Sequence, residues 1–229
     1  MRLLLPAPLL LLIAAAPVEE RGFMVSSFER LRVDGPFEVE VVTGPPRATA
    51  SGSRVALDQV SVRTNGDTLI VSAGPLAWRS AKGQAALPRL RISVPALRAA
   101  TLNGGARVRV AEVRGARADL VLSGAGSLEI GTVRAEDLVV NLTGNGAMTL
   151  AGTAARARMR TSGAGSIDAA ALTAGDANLT SDGSGSIRVN VRYTARASAL
   201  GSGGIDITGK PECILRGPGP MTCTGTIRR

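Results

Sequence analysis

Histidine is absent from the 229 residues. That removes the commonest general base, the Ser-His-Asp and Cys-His arrangements, and most zinc sites. Aromatic residues make up only 2% of the chain: Phe23, Phe28, Phe37, Trp78 and Tyr193. A globular core normally leans on aromatics, whereas a narrow solenoid filled by Val, Ile, Leu and Ala does not need them. Lysine is nearly missing too. Of 27 basic residues only Lys82 and Lys210 are lysine, so arginine carries the formal charge of +9. Cysteine occurs twice, at Cys213 and Cys223. Beyond residue 18 no stretch is long and apolar enough to span a bilayer. Neither Gly-Lys-Ser/Thr nor a Gly-x-Ser-x-Gly elbow occurs.

What the chain does have is a repeat. Between Thr101 and Ile207 one phrase returns six times, led by Gly104, Gly124, Gly144, Gly163, Gly183 and Gly201 at intervals of 20, 20, 19, 20 and 18 residues. A fixed period of this size marks a solenoid, in which no repeat can bury its apolar side alone. Counted from each leading glycine, three columns stay apolar. Four residues on are Val108, Leu128, Met148, Ile167, Ile187 and Ile205. Six on are Val110, Ile130, Leu150, Ala169, Val189 and Ile207. Four before are Ala100, Leu120, Val140, Met159, Leu179 and Ala197. The residues between are polar or small, the alternation of a half-buried strand. Each repeat therefore reads as strand, Gly-x-Gly corner, strand, return, with coils stacked in parallel about 4.8 Å apart.

The glycines suit a corner, because a sharp bend needs dihedrals that a Cβ forbids and stacked corners leave no room for side chains. A phosphate cradle would need a helix to start after the glycines, and a strand pattern follows instead. Gly203-Gly204-Ile205-Asp206-Ile207 echoes a calcium-binding roll, but that roll repeats every nine residues with an aspartate each time.

Residues 1–18 read as a targeting segment: Arg2, an apolar core from Leu3 to Ile13, then Ala14-Ala15-Ala16 for cleavage, with Pro17 awkwardly just after. No cysteine lies near it for lipid attachment. Residues 28–98 lack the phrase but read as strands that cover the first edge of the solenoid, since an open coil end must be capped. Asn65-Gly66-Asp67 predicts a hairpin there, and Gly74 to Pro88 a polar loop. The coils occupy 99–207. The tail, 208–229, reads as a C-terminal cap in which Cys213 and Cys223 form a disulfide; redox chemistry would want Cys-x-x-Cys on a helix.

Two groups of residues invite a chemical reading. The outward column five past each glycine holds Arg109, Glu129, Thr149, Asp168, Arg188 and Asp206. Stacking makes this a ladder of surface ion pairs. The sharper alternative is a paired-carboxylate hydrolase using Asp168 and Asp206, but Arg188 lies between them and no aromatic sugar platform is near. The second group is Arg156, Arg158 and Arg160, which alternate along one strand and face outward as candidate polyanion-binding residues. The plain alternative is that arginine keeps a strand-rich solenoid soluble.

Phe28, then Leu31-Arg32-Val33-Asp34-Gly35-Pro36-Phe37-Glu38-Val39, the Gly-Asp-x-Leu-x-Val phrase at Gly66, Leu90 to Leu97, the Ser-Gly-x-Gly-Ser repeats and Gly209-Lys210-Pro211 occur in an order that resembles the putative auto-transporter adhesin head GIN domain family. The resemblance implies an all-β, right-handed parallel β-helix-like solenoid in an exported bacterial protein. It supplies no catalytic residues. Autotransporters end in a membrane barrel, and none follows here before Arg229, so self-anchoring is not expected. The expected function is an exported, non-catalytic structural, adhesion or envelope-surface binding module, periplasmic or secreted, without cofactor or metal. Its partner would be acidic envelope polysaccharide or another envelope protein. The alternatives are a polysaccharide-active enzyme and a basic polyanion binder.

Overall fold

The computed structural model describes residues 19–73 and 88–228. The targeting segment expected at 1–18 and nearly all of the loop expected at Gly74 to Pro88 lie outside the described residues. The elements in chain order are β1 (Glu19–Phe23), β2 (Arg30–Asp34), β3 (Glu38–Thr43), β4 (Arg47–Gly52), α1 (Arg54–Asp58), β5 (Val60–Asn65), β6 (Thr68–Ala73), β7 (Arg89–Val94) and β8 (Ala99–Gly104). Then come the long strands β9 (Arg107–Gly124), β10 (Ser127–Gly144), β11 (Ala147–Gly163), β12 (Ser166–Gly183) and β13 (Ser186–Ala199). The last are β14 (Ile205–Gly209), β15 (Glu212–Arg216), β16 (Met221–Cys223) and β17 (Thr226–Ile227).

The chain is a β-solenoid. Each long strand is one coil bent into three straight runs. In β10 these are Ser127–Ile130, Thr132–Ala135 and Asp137–Gly144, stacked in parallel on Arg107–Val110, Glu112–Gly115 and Arg117–Gly124 of β9. The three apolar columns of the sequence are the inside of the stack. Val108, Leu128, Met148, Ile167, Ile187 and Ile205 are all at most 1% exposed, and each pairs in register with the next. Burying each such side chain contributes roughly 1.5–3 kcal/mol, so the ladders outweigh any surface ion pair.

The corners stack glycine on glycine. Gly124, Gly144, Gly163 and Gly183 have φ between +107° and +124°, and a Cβ on any of them would sit 2.5–2.6 Å from the carbonyl oxygen below. The second glycine is required from the inside as well: Leu122 lies under Gly146 and Leu142 under Gly165.

At the N-terminal end, chain order and stacking order differ. The β2–β3 coil lies between two others, because β2 pairs with both β6 and β8 and β3 with both β7 and β9. Its Gly35 stands under Gly104 with φ +129°, so the corner stack begins before the glycine phrase does. Antiparallel β5, β4 and β1 then close this end. The predicted hairpin is β5–β6, with Asn65 opposite Thr68 and Gly66 at φ +59°, the position of a primed turn that needs glycine.

At the other end the stack runs on past Ile207. β15 pairs in parallel with β13, β16 with β14 and β17 with β15. The coils shorten here: register breaks between β12 and β13 remove residues from the return. The disulfide between Cys213 and Cys223 joins different runs of the coil, since Cys213 stacks on Ala195 and Cys223 on Ile207.

Candidate functional site

The outward column forms the expected ladder and is longer than six coils. It runs through Thr49, Arg91, Glu40, Arg109, Glu129, Thr149 and Asp168, then Arg188, Asp206 and Thr222. Arg91 bonds Glu40 at 3.2 Å and Arg109 bonds Glu129 at 3.0 Å. Arg188 does separate Asp168 from Asp206, but unequally. Its Nη1 is 3.8 Å from Asp168 Oδ2, while Asp206 accepts the Thr222 hydroxyl at 2.8 Å.

Over the N-terminal half of this column the sheet turns through β7 into β4 and β1 and makes an open groove of about 930 Å³. Its charged lining includes Glu38, Glu40 and Glu129 facing Arg89, Arg91 and Arg109. Each of these carboxylates is held by an arginine, Glu38 by Arg89 at 3.0 Å. Glu20 of β1 also lines the groove and makes no ion pair among the described residues.

The second feature is on the long third run. Arg156, Arg158 and Arg160 are exposed, with Ala157 and Met159 buried between them. The three differ in their surroundings. Arg156 is engaged at both ends by Asp137, Nε–Oδ1 2.6 Å and Nη2–Oδ2 2.7 Å. That hydrogen-bonded guanidinium, with added attraction from Arg158 and Arg117, holds the Asp137 carboxyl below the usual carboxylate range, and Asp137 raises Arg156 in turn. Arg158 and Arg160 instead stack on Asn178 and Thr180, and neither makes an ion pair among the described residues. Two further arginines join them: Arg196 stacks on Asn178, and Arg216 stacks on Ser198 next to Thr180. Neither was singled out from the sequence. The signal was there, since Arg196 precedes Gly201 by the same count that separates Arg158 from Gly163. A hollow of about 300 Å³ lined by Arg117, Asp137, Leu138, Val139, Arg156 and Arg158 opens at the margin of this patch.

Stacked coils of about twenty residues with an ion-paired outer ladder define a β-solenoid module. The chain belongs to the family described as putative auto-transporter adhesin, head GIN domain, whose sequence model matches residues 27–211. Solved structures agree on the fold. A putative adhesin from Bacteroides fragilis NCTC 9343 superposes with a TM-score of 0.80 at 21% identity, over 93% of this chain and 97% of that one. A putative lipid binding protein from Parabacteroides distasonis ATCC 8503 gives 0.67 at 19%, over 93% and 97%. A putative adhesin from Parabacteroides merdae ATCC 43184 gives 0.69 at 16%, over 93% and 96%. No curated protein sequence matches this one. Membership in an adhesin family fits an extracellular or envelope location, and no helix among the described residues is long and apolar enough to cross a membrane.

Proposed function

We propose that this protein is an exported, non-catalytic binding module of the bacterial envelope, working in the periplasm or at the cell exterior and holding surface polymer or an envelope protein against the outer face of its solenoid. The observation that carries this reading is the pairing of the outer ladder. Glu38, Glu40 and Glu129 each face an arginine, and Arg188 lies in register between Asp168 and Asp206. Hydrolysis of a glycosidic bond needs two carboxylates free to act as acid and as base or nucleophile. Family membership supports the same reading.

The groove of about 930 Å³ favours a second reading, an enzyme acting on acidic polysaccharide. One experiment separates the two. Purified protein is incubated with bacterial envelopes and with alginate, polygalacturonate and heparin, and both retention and new chain ends are measured. Retention on envelopes without new ends is expected. New ends that disappear in Glu40→Gln or Glu129→Gln would overturn the non-catalytic reading.

A further inference from the structure

We propose that Arg158, Arg160, Arg196 and Arg216 form a binding stripe for a linear acidic polysaccharide, laid along the third run of the solenoid. The inference deepens the module reading above and rests on it. All four side chains are exposed. They occupy two neighbouring outward columns: Arg158, Asn178 and Arg196 in one, Arg160, Thr180, Ser198 and Arg216 in the other. Side chains two apart on a strand lie about 7 Å from each other, and coils repeat about every 4.8 Å. Arg158 and Arg196 are therefore about 10 Å apart at the backbone, and Arg160 and Arg216 about 14 Å.

The rest of the same face shows why these four stand out. Lower in the stack two arginines of this run are already satisfied, while Arg30 of β2 is half-buried. Arg32 bonds Asp34 at 2.8 Å and Arg117 bonds Asp119 at 2.9 Å. In the adjacent column charges alternate through Arg117, Asp137, Arg156 and Asp176. Carboxylates border the stripe at Asp176 and Asp182, one on each side, and Asp176 already accepts the Thr194 hydroxyl. Inside the two columns no carboxylate separates the arginines; the intervening groups are an amide and hydroxyls.

This pattern selects a ligand class. Guanidinium forks take carboxylate or sulfate in a bidentate manner. Neutral groups that both donate and accept hydrogen bonds, set between the cations, match sugar hydroxyls set between anionic substituents. Single-stranded nucleic acid would want aromatic faces for its bases, and the stripe carries none. The hollow beside Arg158 gives one end a concave seat.

The test uses the full chain and three proteins: wild type, Arg158→Ala/Arg160→Ala/Arg196→Ala, and Arg47→Ala/Arg54→Ala/Arg63→Ala. The last removes the same charge from exposed sites away from the stripe. Binding to immobilised heparin and polygalacturonate is measured at low and high salt, with circular dichroism as a folding check. The stripe predicts salt-weakened binding by wild type, a loss of at least about tenfold in the first variant and little change in the second. Equal weakening in both variants would overturn the stripe, since net charge alone would then explain binding, and would leave the module reading standing. Failure of wild type to bind either polymer would overturn the stripe; the module reading falls only if envelopes are not retained either. Tighter binding to single-stranded DNA than to both polysaccharides would overturn the ligand class.

Discussion

The hydroxyl of Ser181 donates to the carbonyl oxygen of Gly185 at 2.9 Å across a corner, and the serine is shut inside the stack. Thr161 makes the same contact with Gly165 at 3.3 Å. The two contacts are not equivalent. Gly165 also accepts from the Ser186 amide of the next coil, whereas the coil above Gly185 is shortened and only the serine reaches that carbonyl among the described residues. Ser181→Ala should therefore strand a buried acceptor and cost about 1–3 kcal/mol, while Thr161→Val should cost under about 1 kcal/mol. Urea unfolding of the two variants checks the order; a reversed order would refute the account.

Adjacent residues on one strand should behave oppositely. Ile167 is 1% exposed between Met148 and Ile187, so Ile167→Asp places an unpaired charge in the dry interior and should cost more than about 4 kcal/mol. Asp168 faces solvent beside Arg188, and Asp168→Ala should cost less than about 1 kcal/mol. Thermal melts of the two proteins are the measurement. A folded, cooperative Ile167→Asp protein would disprove the inward assignment.

Two glycines separate strain from crowding. Gly66 has φ +59°, and a methyl group added there would meet nothing within 4 Å, so Gly66→Ala should cost about 1 kcal/mol from backbone conformation alone. Gly163 adds a contact of 2.6 Å to the Gly144 carbonyl, so Gly163→Ala should cost clearly more, because two coils must part. Equal melting temperatures for the two variants would rule out tight corner stacking.

The disulfide should act locally. It closes a segment with a sequence separation of 10, worth roughly 2–3 kcal/mol by loop-closure entropy. Hydrogen exchange after Cys213→Ser/Cys223→Ser should quicken first in β15 to β17, while β9 to β12 stay protected. Uniform loss of protection would mean that the last coil, not the ladders, governs stability.

Asp137 supplies a pH test. Its carboxyl is held low by the hydrogen bond from Arg156, aided by Arg158 and Arg117. A group whose folded pKa is depressed adds stability above its unfolded value, about 3.9 for Asp, and loses it as pH falls through the lower folded value. Asp137→Asn should therefore melt slightly below wild type at pH 7, and the gap should close as pH falls below the carboxylate range. A gap that persists or widens in acid would contradict this.

Much of the fold was legible because the interior is one-dimensional. Once Gly124, Gly144 and Gly163 set the count, Leu128, Met148 and Ile167 had to point the same way, and they do. Counting failed where spacing changes. Gly35 is a corner, yet Pro36 and Phe37 hide the phrase. The insertion of β2 and β3 between later strands left no local mark, since pairing partners far apart in sequence carry no periodic signal. The arginine stripe was half legible: Arg158 and Arg160 stand out as neighbours, but whether an arginine has a partner depends on the coil above it. Asp137 lies 19 residues from Arg156, and only stacking brings them together.

Because Gly144 stacks on Gly124 just as Gly163 stacks on Gly144, one rung is interchangeable with the next. Excising residues 145–163 would set Ala164 after Gly144 and lower Ile167 onto Leu128, with every inward side chain still meeting an aliphatic neighbour. The reach of the molecule is thus a quantity its genome can lengthen or trim by whole rungs, leaving the antiparallel N-terminal closure and the disulfide-bonded last coil untouched.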